Sequence, residues 1–507
     1  MDRQIRRLGV GLLVLLVVLL AGVNYVQVFA AEDIADNPAN AFRQIVAESS
    51  VDRGRILASD AETELAFSRQ TNGEFEYQRH YPDGPLWAHM TGYYSLFFGR
   101  TELEQSFNEH LSGDAPELLS QTLGDLVLGR PKRGASIITS LDPELQELAM
   151  DIVEDDAEMR EGGAIVVLEP DTGNVLASAS NPTFDPNALS TQDPETAERE
   201  ITALNDDPEQ PLLSRASDTL FPPGSVFKIV TAAAALENGD TRSTTYPNPP
   251  ELELELTDNT LQNFGESHCA GGAARITLAD AFQQSCNVTF GHIASELGPR
   301  RMARQAEAFG FCLWNPTTSG RCLTDTVPFD IPYTAGRFPN EEYFAQNDPL
   351  VAFSGIGQAD VATNPLSMAM VAGAVANDGV LMRPRLVTEV RDPQGRVVTS
   401  FDPEEASIAT SPETAANLTE MMVSVVEGGT GSAAAIANVS VAGKTGTAQR
   451  GPGDLPHAWF VAFAPADDPQ VAVAVIVLDG GDIGSEITGG QASAPIARTM
   501  IEAALDG

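Results

Sequence analysis

The chain has 507 residues and a mass of 53.8 kDa, more than one ordinary domain holds, so two or three structural units are expected. It carries 71 Asp and Glu against 30 Lys and Arg, a net charge of −41, which argues against a nucleic-acid binder because neutralising phosphates requires clustered cations. With 43% apolar and 20% charged residues it is not generically disordered either.

At the amino terminus Arg3, Arg6 and Arg7 precede an apolar run at residues 8–23 that softens toward Ala31. Crossing about 30 Å of hydrocarbon takes roughly 20 residues. Residues 8–28 supply that length if Asn24 and Gln27 lie at the interface. The arginines before the run and Glu32 and Asp33 after it predict a single-pass anchor, with a short cytoplasmic tail and the rest of the chain outside the cytoplasm. The alternative is a cleaved signal peptide ending near Val28-Phe29-Ala30, but the run exceeds the usual apolar core of about 7–15 residues.

Residues 32–134 are polar, with a strand-like piece at 54–58 and a helix-like piece at 101–111. Arg130-Pro131-Lys132-Arg133-Gly134 reads as a hinge, giving expected units of 1–31 (tail and anchor), 32–134 and 135–507. Residues 135–139 alternate like a strand, and 142–153 predict an amphipathic helix with Leu145, Leu148, Ala149 and Ile152 on one face. Two β-rich runs, 163–168 and 174–177, flank Asp171-Thr172-Gly173 and predict a hairpin. Residues 210–385 are mainly helical in character. Strands are expected at 439–447, 459–463 and 471–478, and a closing helix at 496–505. Strands, then helices, then strands imply a mixed α/β fold, an antiparallel sheet covered by helices and not a βαβ succession.

Four cysteines fall into two local pairs, Cys269/Cys286 and Cys312/Cys322. Sequence leaves all three connectivities open. An oxidising compartment favours two staples over free thiols. No Cys/His spacing suits zinc, so no metal and no other cofactor is expected.

Chemistry concentrates at three places. Prolines and a glycine precede Ser225, and an Ala-rich helical run follows it, so Ser225 falls at or just inside a helix amino terminus with Lys228 one turn on. Backbone N–H groups there favour negative charge developing on Ser225, and a desolvated lysine can lose its proton and act as base. The structural alternative is a capping serine and a surface lysine. Ser285-Cys286-Asn287 lies in the helical stretch 278–297, where a short turn between helices could aim the serine and amide into a cleft. Lys444-Thr445-Gly446-Thr447, on a strand, offers a cation and two hydroxyls for a carboxylate, with Gly446 admitting a ligand close to the backbone. Of the 30 basic residues 27 are Arg, and the three lysines are Lys132, Lys228 and Lys444. Two of the three sit in these motifs. Arginine cannot give up its proton, nor is its planar fork a compact ammonium, so both positions call for lysine itself.

Ser225-x-x-Lys228, Ser285-x-Asn287 and Lys444-Thr445-Gly446, in this order and wide spacing, resemble the penicillin-recognising serine acyltransferases. Asn263-Phe264-Gly265, Gly355-Ile356-Gly357-Gln358 with Thr363-Asn364-Pro365-Leu366, Ala376-Asn377-Asp378-Gly379 and His457-Ala458-Trp459-Phe460 are similar to segments of class B penicillin-binding proteins. Arg53-Gly54-Arg55-Ile56 and Gly92-Tyr93-Tyr94-Ser95 resemble that class's membrane-proximal pedestal. The likeness covers nearly the whole chain and is greatest to the short actinobacterial members.

The resemblance implies the penicillin-recognising serine transferase fold, a five-stranded antiparallel sheet flanked by helices, with an α+β pedestal and one transmembrane helix. It implies a peptidoglycan D,D-transpeptidase in which Ser225 attacks the penultimate D-alanine carbonyl of a D-Ala-D-Ala stem peptide. Lys228 would be the base, Ser285 the proton relay, and Asn287 would orient Lys228 and the substrate amide. Lys444, Thr445 and Thr447 would hold the terminal carboxylate, with the backbone N–H groups of Ser225 and Thr447 as oxyanion hole. β-Lactams would acylate Ser225, and a membrane glycan polymerase of the shape-elongation-division-sporulation family is the implied partner. A Cys269–Cys286 bond would place a staple beside the site. The rivals are a hydrolase with the same nucleophile, for which no deacylating carboxylate is identifiable, and a non-enzymatic sensor or scaffold, against which all the motif residues are present.

Overall fold

The computed structural model describes residues 2–28, 46, 48–73, 75–118, 132–254, 260–266, 268–318, 321–449, 451 and 453–506. Phe29 and Ala30 of the alternative cleavage site, the acidic Glu32 and Asp33, and Arg130-Pro131 of the hinge lie outside these residues. Helix α1 (Asp2–Val28) contains a 20-residue apolar segment, Arg6–Tyr25, that is not buried against the rest of the molecule, as a single membrane anchor requires. Within it the Asn24 amide donates to the Leu20 carbonyl at 2.8 Å, so this polar group is satisfied inside the helix.

The first folded unit is built on β1 (Ile56–Leu57), β2 (Glu64–Gln70) and β3 (Tyr77–His80). The helix expected at 101–111 forms as two short helices, Glu102–Ser106 and Asn108–Ser112. They break at Phe107, whose ring meets Phe401 edge-on at 6.0 Å, a tertiary contact that local propensity does not encode. Glu104 is fully buried and accepts from Arg53 Nε at 2.6 Å, Arg79 Nε at 2.5 Å and the Tyr81 hydroxyl at 3.1 Å. Arg53 in turn lies 4.6 Å over the Tyr94 ring, so the two pedestal motifs meet at one ion cluster.

Strand β4 (Ser136–Thr139) forms where expected but joins the two units. It runs parallel to β1, pairing Ile137 with Ile56, and antiparallel to a strand from far along the chain. The helix predicted at 142–153 is α2 (Pro143–Asp155), started by Asp142, whose carboxylate accepts from the N–H groups of Glu144 and Leu145. Its buried face is wider than expected: Gln146, Met150 and Val153 are inside with Leu145 and Ala149, while Leu148 and Ile152 pack half-buried against the same core. Gln146 tolerates burial because its amide is used on both sides, donating to the Leu86 and Ser178 carbonyls and accepting from Ser178 N–H.

The hairpin is β5 (Gly163–Leu168) and β6 (Val175–Asn181). Residues 210–385 then supply α3 (Lys228–Glu237), α4 (Leu278–Gln283), α5 (Asn287–Ala308) and α6 (Pro365–Ala376), with short strand pairs between them. After β7 (Val387–Arg391) and β8 (Val397–Ser400) come α7 (Pro412–Gly428), β9 (Ala442–Ala448), β10 (His457–Ala464), β11 (Val471–Val477) and α8 (Ser493–Asp506). One sheet has the order β8-β7-β4-β1-β2-β3, the other β9-β10-β11-β5-β6, antiparallel throughout.

The five-stranded sheet is buried on both faces. In β11, Val471, Val473, Val475 and Val477 join the core that includes α2 and α8, while Ala472, Ala474 and Ile476 face the core of α6. Small residues on that second face let α6, buried from Pro365 to Val375, lie close across the strands. This packing fixes β9 as a sheet edge beside α3, α4 and α7. The bonded cysteine pairs are Cys269–Cys286 and Cys312–Cys322.

Candidate active site

Pro222, Pro223 and Gly224 stop the preceding segment, and Ser225 sits in a single tight turn, Gly224–Phe227, that feeds α3 at Lys228. Gly224 has φ +56°, and a Cβ there would stand 2.6 Å from the Thr447 carbonyl oxygen. Gly357 presses on the other side: its carbonyl accepts from Gly224 N–H at 3.1 Å, and a Cβ on it would meet the Gly224 carbonyl at 2.2 Å. Only glycine permits this double approach. The Trp459 indole N–H adds a bond to the Pro222 carbonyl at 3.1 Å. The serine turn is thus clamped between β9 and residues 355–361. The Ser225 side chain is half-buried and makes no hydrogen bond among the described residues.

The stretch expected to be helical at 278–297 is interrupted where the chemistry lies. Ser285 takes φ +59°, separating α4 from α5, and the Cys269–Cys286 bond ties the break to the neighbouring loop. A non-glycine residue in this region costs of order 1–3 kcal/mol. The turn frees the Ser285 carbonyl and hydroxyl to face one point. There Lys228 Nζ donates to the Ser285 carbonyl at 2.7 Å, to the Ser285 hydroxyl at 3.3 Å and to Asn287 Oδ1 at 2.8 Å. Asn287 Nδ2 donates to the Gln262 carbonyl at 3.0 Å, which fixes the amide and leaves its second N–H for a ligand.

From β9, Lys444 Nζ reaches the same Ser285 hydroxyl at 2.9 Å and the Thr445 carbonyl at 3.0 Å. Both lysines are fully buried, and neither is paired with a carboxylate among the described residues. Each ammonium lies 5.6 Å from an aromatic centroid, Lys228 over Phe290 and Lys444 over Phe282. Burial, and then the neighbouring Lys444 charge, hold the Lys228 amine well below the ordinary lysine range. Burial alone pushes Lys444 down to about 7. Two buried ammonium ions sharing one hydroxyl, with no carboxylate paired to either among the described residues, repel, so the arrangement favours one neutral amine and one cation.

The structure therefore brings Lys228, Ser285, Asn287 and Lys444 into one hydrogen-bonded chain, with Ser225 one turn before Lys228 and Thr447 against the serine turn. Thr445 and Gly446 lie in β9, Thr445 buried and Gly446 against the Pro223 carbonyl. Sequence reasoning missed Thr430, whose hydroxyl bonds that of Thr445 at 2.6 Å, and Gln262, whose carbonyl holds Asn287. The glycine-rich Gly428-Gly429-Thr430-Gly431 was the available signal for the first; a backbone carbonyl leaves none.

Residues 163–502 match the penicillin-binding protein transpeptidase domain, and residues 53–137 the penicillin-binding protein A dimerisation domain. The chain belongs to the class B penicillin-binding proteins. It is 40% identical to the peptidoglycan D,D-transpeptidase PbpA of Mycolicibacterium smegmatis, over 100% of this chain and 99% of that protein. To the PbpA of Mycobacterium tuberculosis it is 36% identical, with both chains fully covered. Among solved structures, the ceftriaxone acyl-enzyme of penicillin-binding protein A from M. tuberculosis superposes with a TM-score of 0.81 at 36% identity, covering 91% of this chain and 100% of the other. Pseudomonas aeruginosa PBP2 follows the same fold with a TM-score of 0.71 at 26% identity, over 90% and 95%. The pedestal match of this family extends to residue 137, into β4, in keeping with that strand's place in the pedestal sheet.

Proposed function

We propose that this chain is a peptidoglycan cross-linking D,D-transpeptidase working through a Ser225 acyl-enzyme. The observation that carries the reading is the meeting of two buried lysines on one serine hydroxyl, at 3.3 and 2.9 Å. Neutral Lys228 takes the Ser225 proton, and Oγ attacks the penultimate D-alanine carbonyl of a stem peptide. The oxyanion is met by the N–H groups of Ser225 and Thr447. As the C–N bond breaks, Ser285 passes a proton to the leaving amine, drawing on Lys228, and the terminal D-alanine departs. Lys444 remains the cation, holding the terminal carboxylate with Thr445 and Thr447. An amine from a neighbouring strand then attacks the ester, loses a proton to the same chain and releases Ser225 with the cross-link made. A β-lactam enters the first half of this cycle, and its leaving nitrogen stays tethered to the acyl group.

Two measurements test the proposal. Purified full-length enzyme given a D-Ala-D-Ala donor should release D-alanine and, with an amine acceptor present, form the amide product. Hydrolysis alone, unaltered by acceptor, would make the chain a carboxypeptidase. A fluorescent penicillin should label the wild type and leave Ser225→Ala dark.

The paired lysines also set a pH profile. kcat/KM for acylation is expected to rise on the acid side as Lys228 loses its proton. It should fall above about 7, where Lys444 loses the charge that holds the carboxylate. Both limbs belong to the coupled pair. A profile measured between about pH 5 and 10 checks this, and a rate that only rises would remove the cation role from Lys444.

The same reading orders the chain as anchor (1–31), pedestal (32–134) and catalytic unit (135–507), the last two fused through β4. Arg3 before the Arg6–Tyr25 segment, and Arg6 and Arg7 at its start, support a cytoplasmic amino terminus. A membrane glycan polymerase of the shape-elongation-division-sporulation family, which would make the strands this enzyme joins, is the proposed partner.

A further inference from the structure

A cleft of about 300 Å³, lined by Pro222, Gln358, Ala359, Asp360, Val361 and Gln449, lies next to the serine turn and just past the end of β9. Its position relative to the donor follows from the site. With the terminal carboxylate at Lys444 and Thr445 and the scissile carbonyl at Thr447 N–H, the donor runs along the unpaired edge of β9 toward higher residue numbers. The stem residue before D-Ala-D-Ala therefore arrives beyond Thr447, where Gln449 and this cleft are.

Among the described residues the lining has one charge, Asp360. Asp360 Oδ2 accepts from the Tyr343 hydroxyl at 2.6 Å, and Oδ1 has no hydrogen-bond partner among the described residues. Arg337, the nearby cation, is stacked 4.2 Å over the Trp314 ring. Pro222, Ala359 and Val361 give the cleft an apolar wall, and Gln358 and Gln449 add amides. Ala359 and Asp360 both hold positive φ, 54° and 68°, in the segment that Gly357 clamps to the nucleophile turn. An apolar wall ending at a carboxylate suits an aliphatic side chain that ends in an ammonium group.

The chemistry of cross-linking provides such a group. The acceptor must carry a free amine, and in a polymer of one repeating stem every donor carries its own copy of it. We infer that the cleft is the subsite for the amine-bearing side chain of the donor stem, with Asp360 as the residue that selects it. Held there as an ammonium ion, the donor's own amine is not a nucleophile, which reserves the acyl ester for an amine on another strand. This inference rests on the transpeptidase reading above.

The test compares two donors that differ only at that residue, a lysyl-D-Ala-D-Ala peptide with a free side-chain amine and its side-chain-acetylated form. Full-length wild type should show a kcat/KM for D-alanine release about three- to fivefold higher with the free amine, the range of an exposed ion pair. Added salt should shrink that ratio. Asp360→Asn should bring it to about one, while Asp360→Lys should invert it toward a side-chain-succinylated donor, and Asp360→Glu should keep it. The ratio is internal to each variant, so partial loss of folded enzyme does not alter it. Equal turnover of both donors by the wild type, or a ratio that survives Asp360→Asn, overturns the subsite and leaves the transpeptidase standing. No D-alanine release from either donor would instead overturn the transpeptidase reading.

Discussion

Replacing Lys228 by arginine is expected to slow β-lactam acylation by about 10²–10⁴-fold, the usual contribution of a positioned general base. Arginine stays protonated at any working pH, so it has no lone pair to take the Ser225 proton. It would also set a permanent charge beside Lys444 in a pocket with no carboxylate among the described residues to offset it. Lys444→Arg retains the cation and should cost less, through the mismatch of a planar fork at the Ser285 hydroxyl. Time courses of fluorescent-penicillin labelling for the two variants check the order. If Lys228→Arg acylates within tenfold of wild type, the base is elsewhere.

The largest stability effect is expected far from the nucleophile. Glu104→Ala should cost about 3–5 kcal/mol, because it strands the Arg53 and Arg79 guanidinium groups in a closed interior. Both arginine side chains are buried, and Glu104 is wholly inside. Burial alone would raise the Glu104 carboxyl, but Arg79 and Arg53 outweigh it and hold the group below its ordinary value of 4.5. A depressed carboxylate stabilises fully above the unfolded value and loses that contribution as pH falls through the folded one, so the pedestal should weaken on the acid side. Differential scanning calorimetry should show a drop on the order of 10 °C for the unfolding that includes the pedestal. A shift of a degree or two would mean that the cluster is dispensable.

Much of the catalytic half could be read before any coordinates. The apolar strand run of β11 and the Ala-rich run after Ser225 are local patterns, and local patterns survive folding. The scarcity of lysine was legible too, since it is a choice of chemistry and not of shape. What was not legible depends on distant partners. The burial of Gln146 on α2 follows from its amide finding carbonyls at Leu86 and Ser178, residues distant from it in the chain. The break at Phe107 and the left-handed turn at Ser285 have the same origin: a contact elsewhere in the molecule outweighs helical propensity. Residues 135–139 read correctly as a strand, yet their partners, β1 and β7, lie about 80 residues before and 250 after.

The sparing use of lysine has a practical corollary. With Lys228 and Lys444 sealed away from solvent, Lys132 is the one accessible side-chain amine among the described residues. Among side-chain amines, amine-directed cross-linkers should therefore address the folded enzyme at Lys132 in the pedestal while sparing the two lysines of the reaction centre. A single dye or tether could then be placed outside, by chemistry alone, on an enzyme that still works.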